Sequence, residues 1–173
     1  AVQVPLVKEA LDLLGIARFE LEGYEADDLI GTISRSCAQS GCECVVVTGD
    51  RDSLQLVSDT TRVRLVTSRM GQTSTTNFTK EQFAESYSGL TPEKIIDLKA
   101  LMGDSSDNIP GVAGIGEKTA MSLITAFGSL DGVYANLESP DIRESVRKKL
   151  DAGRESAYLS SVSYTHLRAH ETE

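Results

Sequence analysis

Carboxylates recur in three tight groups along this chain: Glu25, Asp27 and Asp28 in YEADD, Asp50 and Asp52 in TGDRD, and Asp104 and Asp107 in GDSSDN. Each group has an ordinary local use. Acids in a first helical turn satisfy free backbone N–H groups and the helix dipole, and acids after a strand form Asx turns. Gathered in one place, however, carboxylates repel one another by about 3 kcal/mol per pair at about 6 Å and an effective dielectric of about 20. A divalent cation relieves that repulsion. Oxygen-only donors select hard ions, magnesium or manganese rather than zinc or copper. Two such ions about 4 Å apart suit phosphodiester hydrolysis, activating water and stabilising the leaving oxygen. Neither acidic loop has the alternating ligands, glycine and distal glutamate of an EF-hand.

A second stretch, GVAGIGEKTA at residues 111–120, places three glycines within six positions ahead of a helical pattern. Glycines let backbone N–H groups approach an anion, and a helix start adds its positive end, so the stretch fits a phosphate. A loop between two short helices that grips a phosphodiester without reading a base is the logic of a helix-hairpin-helix. The candidate contacts are Gly111, Gly114, Ile115, Gly116, Lys118 and Thr119. The stretch lacks the glycine-lysine pair of a P-loop and the preceding strand of a dinucleotide fingerprint. An ordinary helix-helix turn is the competing reading.

What the chain lacks narrows the chemistry further. Both histidines, His166 and His170, fall in the final SVSYTHLRAHETE, which resembles a translated sequencing-library adapter; residues 161–173 are therefore set apart from fold reasoning. Without them no imidazole is available for catalysis or metal binding. Cys37, Cys42 and Cys44 have no second pair at zinc-site spacing and read as small buried hydrophobes. Net charge is -9, so any contact with nucleic acid must rest on local basic groups. No apolar run approaches the roughly 20 residues of a membrane span.

The elements that must position these groups follow from periodicity. Pro5 and Gly15 bracket a helix over residues 5–14, with Val7, Leu11 and Leu14 as its apolar stripe. A short strand in RFELEG, a helix from about Glu25 to Gln39 presenting Leu29, Ile30 and Ile33, and a buried strand in CECVVVTGD compose a βαβ unit. RVRLV and QTSTTN pair around Gly71, and Thr79 with Gln82 forms a capping box before KEQFAESY. From Gly89 the pattern turns helical: Thr91 and Pro92 open PEKIIDLKALM, Gly103 ends it, and EKTAMSLITAF, LDGVYANL and PDIRESVRKKL follow.

GYEADDLIGT, VVTGDRDSLQLV and IIDLKALMGDSSDNIPGVAGIGEKTA together resemble the 5'-nuclease domain family of bacterial DNA polymerase I, in the family's order, over Pro5 to Ser160. Free-standing flap endonucleases and phage exonucleases share that architecture. The resemblance implies an α/β, PIN-like parallel-sheet core over 1–88, truncated at its N-terminus, then an all-helical helix-hairpin-helix DNA-binding domain over 89–160. It implies catalysis by Glu25, Asp27, Asp28, Asp50, Asp52, Asp104 and Asp107. Glu25 and Asp27 would belong to one Mg2+ or Mn2+ site, with Asp28 beside them; Asp50, Asp52 and Asp107 would hold the other, with Asp104 close by. Potassium is implied at the glycine loop, and the implied substrates are 5' flaps and nicked or gapped duplex DNA. A polymerase domain in cis, a monomeric state and a bacterial cytoplasmic, nucleoid-associated setting complete the expectation. The family's upstream aspartates and basic arch are not among residues 1–173. The chain therefore reads as an internal fragment, weak in DNA binding and cleavage by itself, with an exposed sheet edge. A stand-alone exonuclease and a non-catalytic DNA-binding module are the alternatives.

Overall fold

The computed structural model describes residues 3–105 and 108–169, with side chains as far as residue 162. Helix α1 (Gln3–Leu13) opens the chain and α2 (Ala26–Gln39) follows; a three-stranded sheet of β1 (Cys44–Thr48), β2 (Thr61–Arg69) and β3 (Gln72–Phe78) comes next. β1 and β2 run parallel, with Val46 opposite Val63, and β2 and β3 form an antiparallel hairpin around Gly71. Helices α3 (Lys80–Ser86), α4 (Ile95–Met102), α5 (Glu117–Phe127), α6 (Leu130–Ala135), α7 (Glu144–Ala152) and α8 (Arg154–Ala169) make up the rest. The α/β-then-helical order is the expected one, with a mixed sheet. The stretch set apart at Ser161 begins inside α8, whose backbone stays helical to Ala169.

Local signals are obeyed closely. Thr79 caps α3 as half of a reciprocal box: its hydroxyl accepts from the Gln82 N–H, and the Gln82 side chain accepts from the Thr79 N–H at 3.1 Å. Thr91 and Pro92 start a single 3-10 turn that passes directly into α4, and Gly103 at φ 74° ends it. One continuous core joins the two halves. Leu54, Val57, Val63 and Leu65 on the sheet side meet Phe83, Leu98 and Leu101, and the core continues through Val112, Ile124, Val133 and Leu150.

Several expectations need correction, because a tertiary partner decides the outcome. RFELEG, residues 18–23, forms no strand: among the described residues no ladder pairs with it, and Phe19 and Leu21 lie exposed. An isolated extended segment gains nothing from extension until a neighbouring strand satisfies its backbone. β1 is not buried on both faces, since Val46 is 7% exposed whereas Val45 and Val47 are 41% and 61% exposed. α2 seats itself through small residues, Gly31 and Ser34, with Ile30 partly buried against the core and Ile33 left outside. The Ser34 hydroxyl meets that of Thr61 at 2.8 Å, fixing α2 to the start of β2. No residue of α1 is fully buried; of its apolar stripe Val7 and Leu14 are exposed and Leu11 is half-buried. Cys42 is also exposed, with Cys37 and Cys44 half-buried; burial raises the Cys44 thiol pKa, helped by its neighbour Cys37.

Candidate metal centre and nucleic-acid interface

Parallel strands cannot be joined by a tight turn. The connection from β1 to β2, residues 49–60, therefore crosses over, and it leaves from the carboxyl end of β1, where sites in α/β sheets assemble. TGDRD occupies this crossover. The Asp50 carboxylate accepts the Asp52 N–H at 2.9 Å, and the Asp50 N–H donates to the Thr48 hydroxyl at 3.0 Å, so an Asx turn launches the 3-10 turn Asp52–Leu56. Asp50 stays exposed while Asp52 is carried inward to 6% exposure. Tyr87 is stacked on Phe83 with ring centres 4.3 Å apart. Burial pushes its phenol pKa up, and the guanidinium of Arg51 in the same turn pulls the other way.

Asp104 reaches the same place from the helical half. It follows Gly103 at the end of α4, and reciprocal 2.8 Å backbone hydrogen bonds with Ile109 pin both ends of residues 104–109. Between Asp52 and Asp104 lies the ammonium group of Lys99, itself 7% exposed on α4. It is in direct contact with Asp52 Oδ1 and 2.7 Å from Asp104 Oδ2. Two carboxylates remote in sequence thus close on one buried positive charge. Beside them, Gln55 Nε2 donates to the Asp52 carbonyl at 3.1 Å, while its buried Oε1 accepts no hydrogen bond among the described residues. The donor set, carboxylates around a stand-in cation with an orphaned amide oxygen alongside, fits a hard metal ion.

The YEADD acids are placed differently. Glu25 is the N-cap of α2, and its backbone N–H donates to Asp28 Oδ2 at 2.9 Å, so both acids serve a capping box. Asp27 is half-buried and lines a small cleft with Ser53, Gln55 and Leu56, which puts the start of α2 against the turn that carries Asp52. Among the described residues no three acids converge into a ready-made metal cage. Asp107 lies outside the described residues.

The glycine loop divides in two. Gly111 answers to packing rather than to an anion: a Cβ built there meets the Gly103 nitrogen at 2.1 Å. Both its backbone groups are also committed, the N–H to the Ser160 hydroxyl at 3.2 Å and the carbonyl to the Ser156 hydroxyl at 2.6 Å. Ile115 is likewise buried, at 3%. Gly114, Gly116 and Lys118 are exposed and Thr119 is half-buried. Gly116 is the N-cap of α5 and a Cβ there meets nothing, so open space fronts the helix start. Lys149 of α7 donates to the Gly114 carbonyl at 3.0 Å. Neither Lys118 nor Lys149 pairs with a carboxylate among the described residues, which leaves positive charge beside the loop despite the acidic total.

The sequence reading missed Lys99, Gln55 and Lys149. One signal was available: in IIDLKALM, Lys99 falls on the buried helical face with Ile95 and Met102, and a lysine there requires an anionic partner.

Residues 1–88 match the model of the 5'-3' exonuclease N-terminal resolvase-like domain, and residues 90–168 that of the 5'-3' exonuclease C-terminal SAM fold. The chain belongs to the 5'-3' exonuclease family. Among curated relatives, this family member is 45% identical over 158 residues to DNA polymerase I of Bacillus subtilis, 91% of the chain and 18% of that protein. It is 44% identical over 159 residues to DNA polymerase I of Caldicellulosiruptor bescii, 92% of the chain and again 18% of the relative. The chain thus spans about a fifth of the length of the polymerases it matches. In fold it resembles T5 5'-exonuclease with divalent metal ions (zinc) bound, at TM-score 0.78 and 25% identity, covering 96% of this chain and 59% of that one. The catalytic core of Rad2 in complex with DNA substrate aligns at TM-score 0.62 and 18% identity over 93% of this chain and 53% of that one, a likeness of fold.

Proposed function

We propose that this chain is part of a metal-dependent 5' nuclease that hydrolyses DNA phosphodiesters near 5' ends and flap junctions. The observation that carries this reading is the buried seat in which Asp52 and Asp104, one from each half of the chain, close on a single cation. Asp50, Asp52 and Asp104, together with Asp107, would hold one magnesium or manganese ion; Glu25 and Asp27, with Asp28 beside them, would serve the other. Such ions supply an activated water and charge neutralisation at the leaving oxygen. The chain's own groups do the positioning. Gly114 and Gly116 let the loop backbone approach a phosphate, and Lys118, with Thr119 behind it, adds charge, which orients a duplex without reading its sequence. Potassium at the loop carbonyls belongs to the same reading and would share the loop with the Lys149 ammonium, which already engages the Gly114 carbonyl. The parent protein would be a monomeric bacterial DNA polymerase I acting on 5' flaps and nicked or gapped DNA at the nucleoid, with its polymerase region downstream. Residues 1–88 and 89–160 would be its catalytic and DNA-binding parts, and 161–173 an adapter remnant.

The test is Asp50→Ala combined with Asp52→Ala in a nuclease domain extended to the length of its relatives, assayed on a labelled 5'-flap substrate in magnesium. Loss of cleavage with duplex binding intact is expected. Cleavage at the parental rate would leave a DNA-binding module whose acids cap helices, a reading that the Glu25–Asp28 box also suits.

A further inference from the structure

A buried lysine between two carboxylates is a cation that the chain supplies to itself. Lys99 lies in the middle of α4, with its side chain 9% exposed, and its partners Asp52 and Asp104 are 8% and 18% exposed. All three are held by backbone: Lys99 by the helix, Asp52 by the Asx turn, Asp104 by its bridge to Ile109. A divalent ion cannot share this seat with an ammonium that lies against one oxygen of each carboxylate, because like charges a few ångströms apart repel. The four-carbon stem of lysine lets the charged head leave without moving the helix.

We propose that Lys99 is the internal counter-ion of the metal-free site, and that divalent binding at Asp52 and Asp104 proceeds by exchange with its ammonium. The lysine then does two things. Without metal it keeps two buried carboxylates from facing each other unneutralised, a strongly destabilising arrangement. With metal it lowers the apparent affinity, since the ion binds only the fraction of molecules whose lysine has swung out. The site therefore rejects ions too weakly held to displace an ammonium. The inference rests on the metal-nuclease reading and adds the residue that sets the site's affinity.

The test is Lys99→Met, which keeps the length and apolar stem and removes the charge, in the full 173-residue chain with Mn2+ as the probe. Two quantities are read: the Mn2+ dissociation constant by calorimetric titration, and the melting temperature in EDTA and in saturating Mn2+. The variant is expected to bind Mn2+ at least about ten-fold more tightly, equivalent to about 1.4 kcal/mol. It should melt below the parent in EDTA and recover in Mn2+, so that its metal-induced shift exceeds the parent's. A folded Lys99→Met protein that binds Mn2+ no more tightly than the parent overturns the inference while leaving the metal reading intact. No Mn2+ binding in either protein overturns both. Should Lys99→Met fail to fold even with Mn2+, Asp104→Asn decides: it leaves Lys99 paired with Asp52 alone, so Mn2+ binding should weaken with stability in EDTA retained. Unchanged Mn2+ affinity in Asp104→Asn overturns the inference. A merely structural ion pair would lower stability in Lys99→Met without tightening the metal.

Discussion

Gly111→Ala and Gly116→Ala separate the two roles that the glycine loop combines. At Gly111 an added Cβ would lie 2.1 Å from the Gly103 nitrogen and 2.6 Å from both the Gly103 Cα and the Met102 carbonyl carbon, all backbone atoms at the end of α4. They cannot rotate away as a side chain would. The residue also sits at φ 57°, where a side chain costs about 1–2 kcal/mol. Forcing extra atoms into a packed site adds about 1–3 kcal/mol. The sum, about 2–5 kcal/mol, is a large part of the roughly 5–15 kcal/mol that stabilises a typical domain. For a chain of this size it corresponds to a fall in melting temperature of about 4–20 °C. At Gly116 the same methyl group meets no atom within 4 Å and φ is -99°, so the cost is confined to the N-cap, where alanine is less favourable than glycine by about 1 kcal/mol, a fall in melting temperature of about 2–4 °C. Differential scanning calorimetry on the two variants, followed by fluorescence anisotropy with a labelled duplex, gives the contrast. Gly111→Ala should lose the more stability, and Gly116→Ala should lose duplex affinity with stability largely kept. A Gly111→Ala protein that melts with the parent would refute the packing argument, and a Gly116→Ala protein with full affinity would remove the loop backbone from the phosphate contact.

Three further outcomes are expected. Thr79→Ala removes half of the capping box on α3 and should cost about 1 kcal/mol in urea unfolding, whereas Thr79→Ser should cost much less. Lys118→Ala and Lys149→Met each take one uncompensated charge from beside the glycine loop; each should weaken duplex binding and lower the slope of log affinity against log salt by about one. Tyr134 is 7% exposed and its hydroxyl donates to the Leu150 carbonyl at 3.1 Å. Burial pushes its pKa up to about 12, against a smaller downward pull from Arg154, whose guanidinium lies 4.8 Å from the ring centre. The folded state holds that proton more tightly than the unfolded state, so the stability linked to it is complete below pH 10 and drains away as pH rises toward 12. Ultraviolet titrations of the parent and of Tyr134→Phe should differ by one phenol that titrates toward pH 12; a difference that falls near pH 10 would contradict its burial.

Much of the fold was legible because its signals are local. The Thr79–Gln82 box, the hairpin around Gly71, the Thr91–Pro92 start and the Gly103 stop each involve residues only a few positions apart, whose backbone energetics are settled among themselves. The acidic groups and the glycine loop could likewise be named as candidates, since metal and phosphate chemistry restricts which side chains can serve. What the sequence left open was every choice between partners far apart in the chain. Residues 18–23 look like a strand but stay unpaired among the described residues, because a strand exists only with a neighbour to complete its hydrogen bonds. Gly111 looks like an anion contact, yet its glycine is demanded by Gly103, and its polar groups are taken by serines 45 and 49 residues away. The acids of YEADD and GDSSDN read alike as metal ligands, but Glu25 and Asp28 cap a helix while Asp104 and Asp52 enclose Lys99. Local geometry is fixed by short-range backbone and capping energies that a sequence displays directly. The charge at a site is fixed by burial and by what packs against it, and only the folded chain brings those groups together.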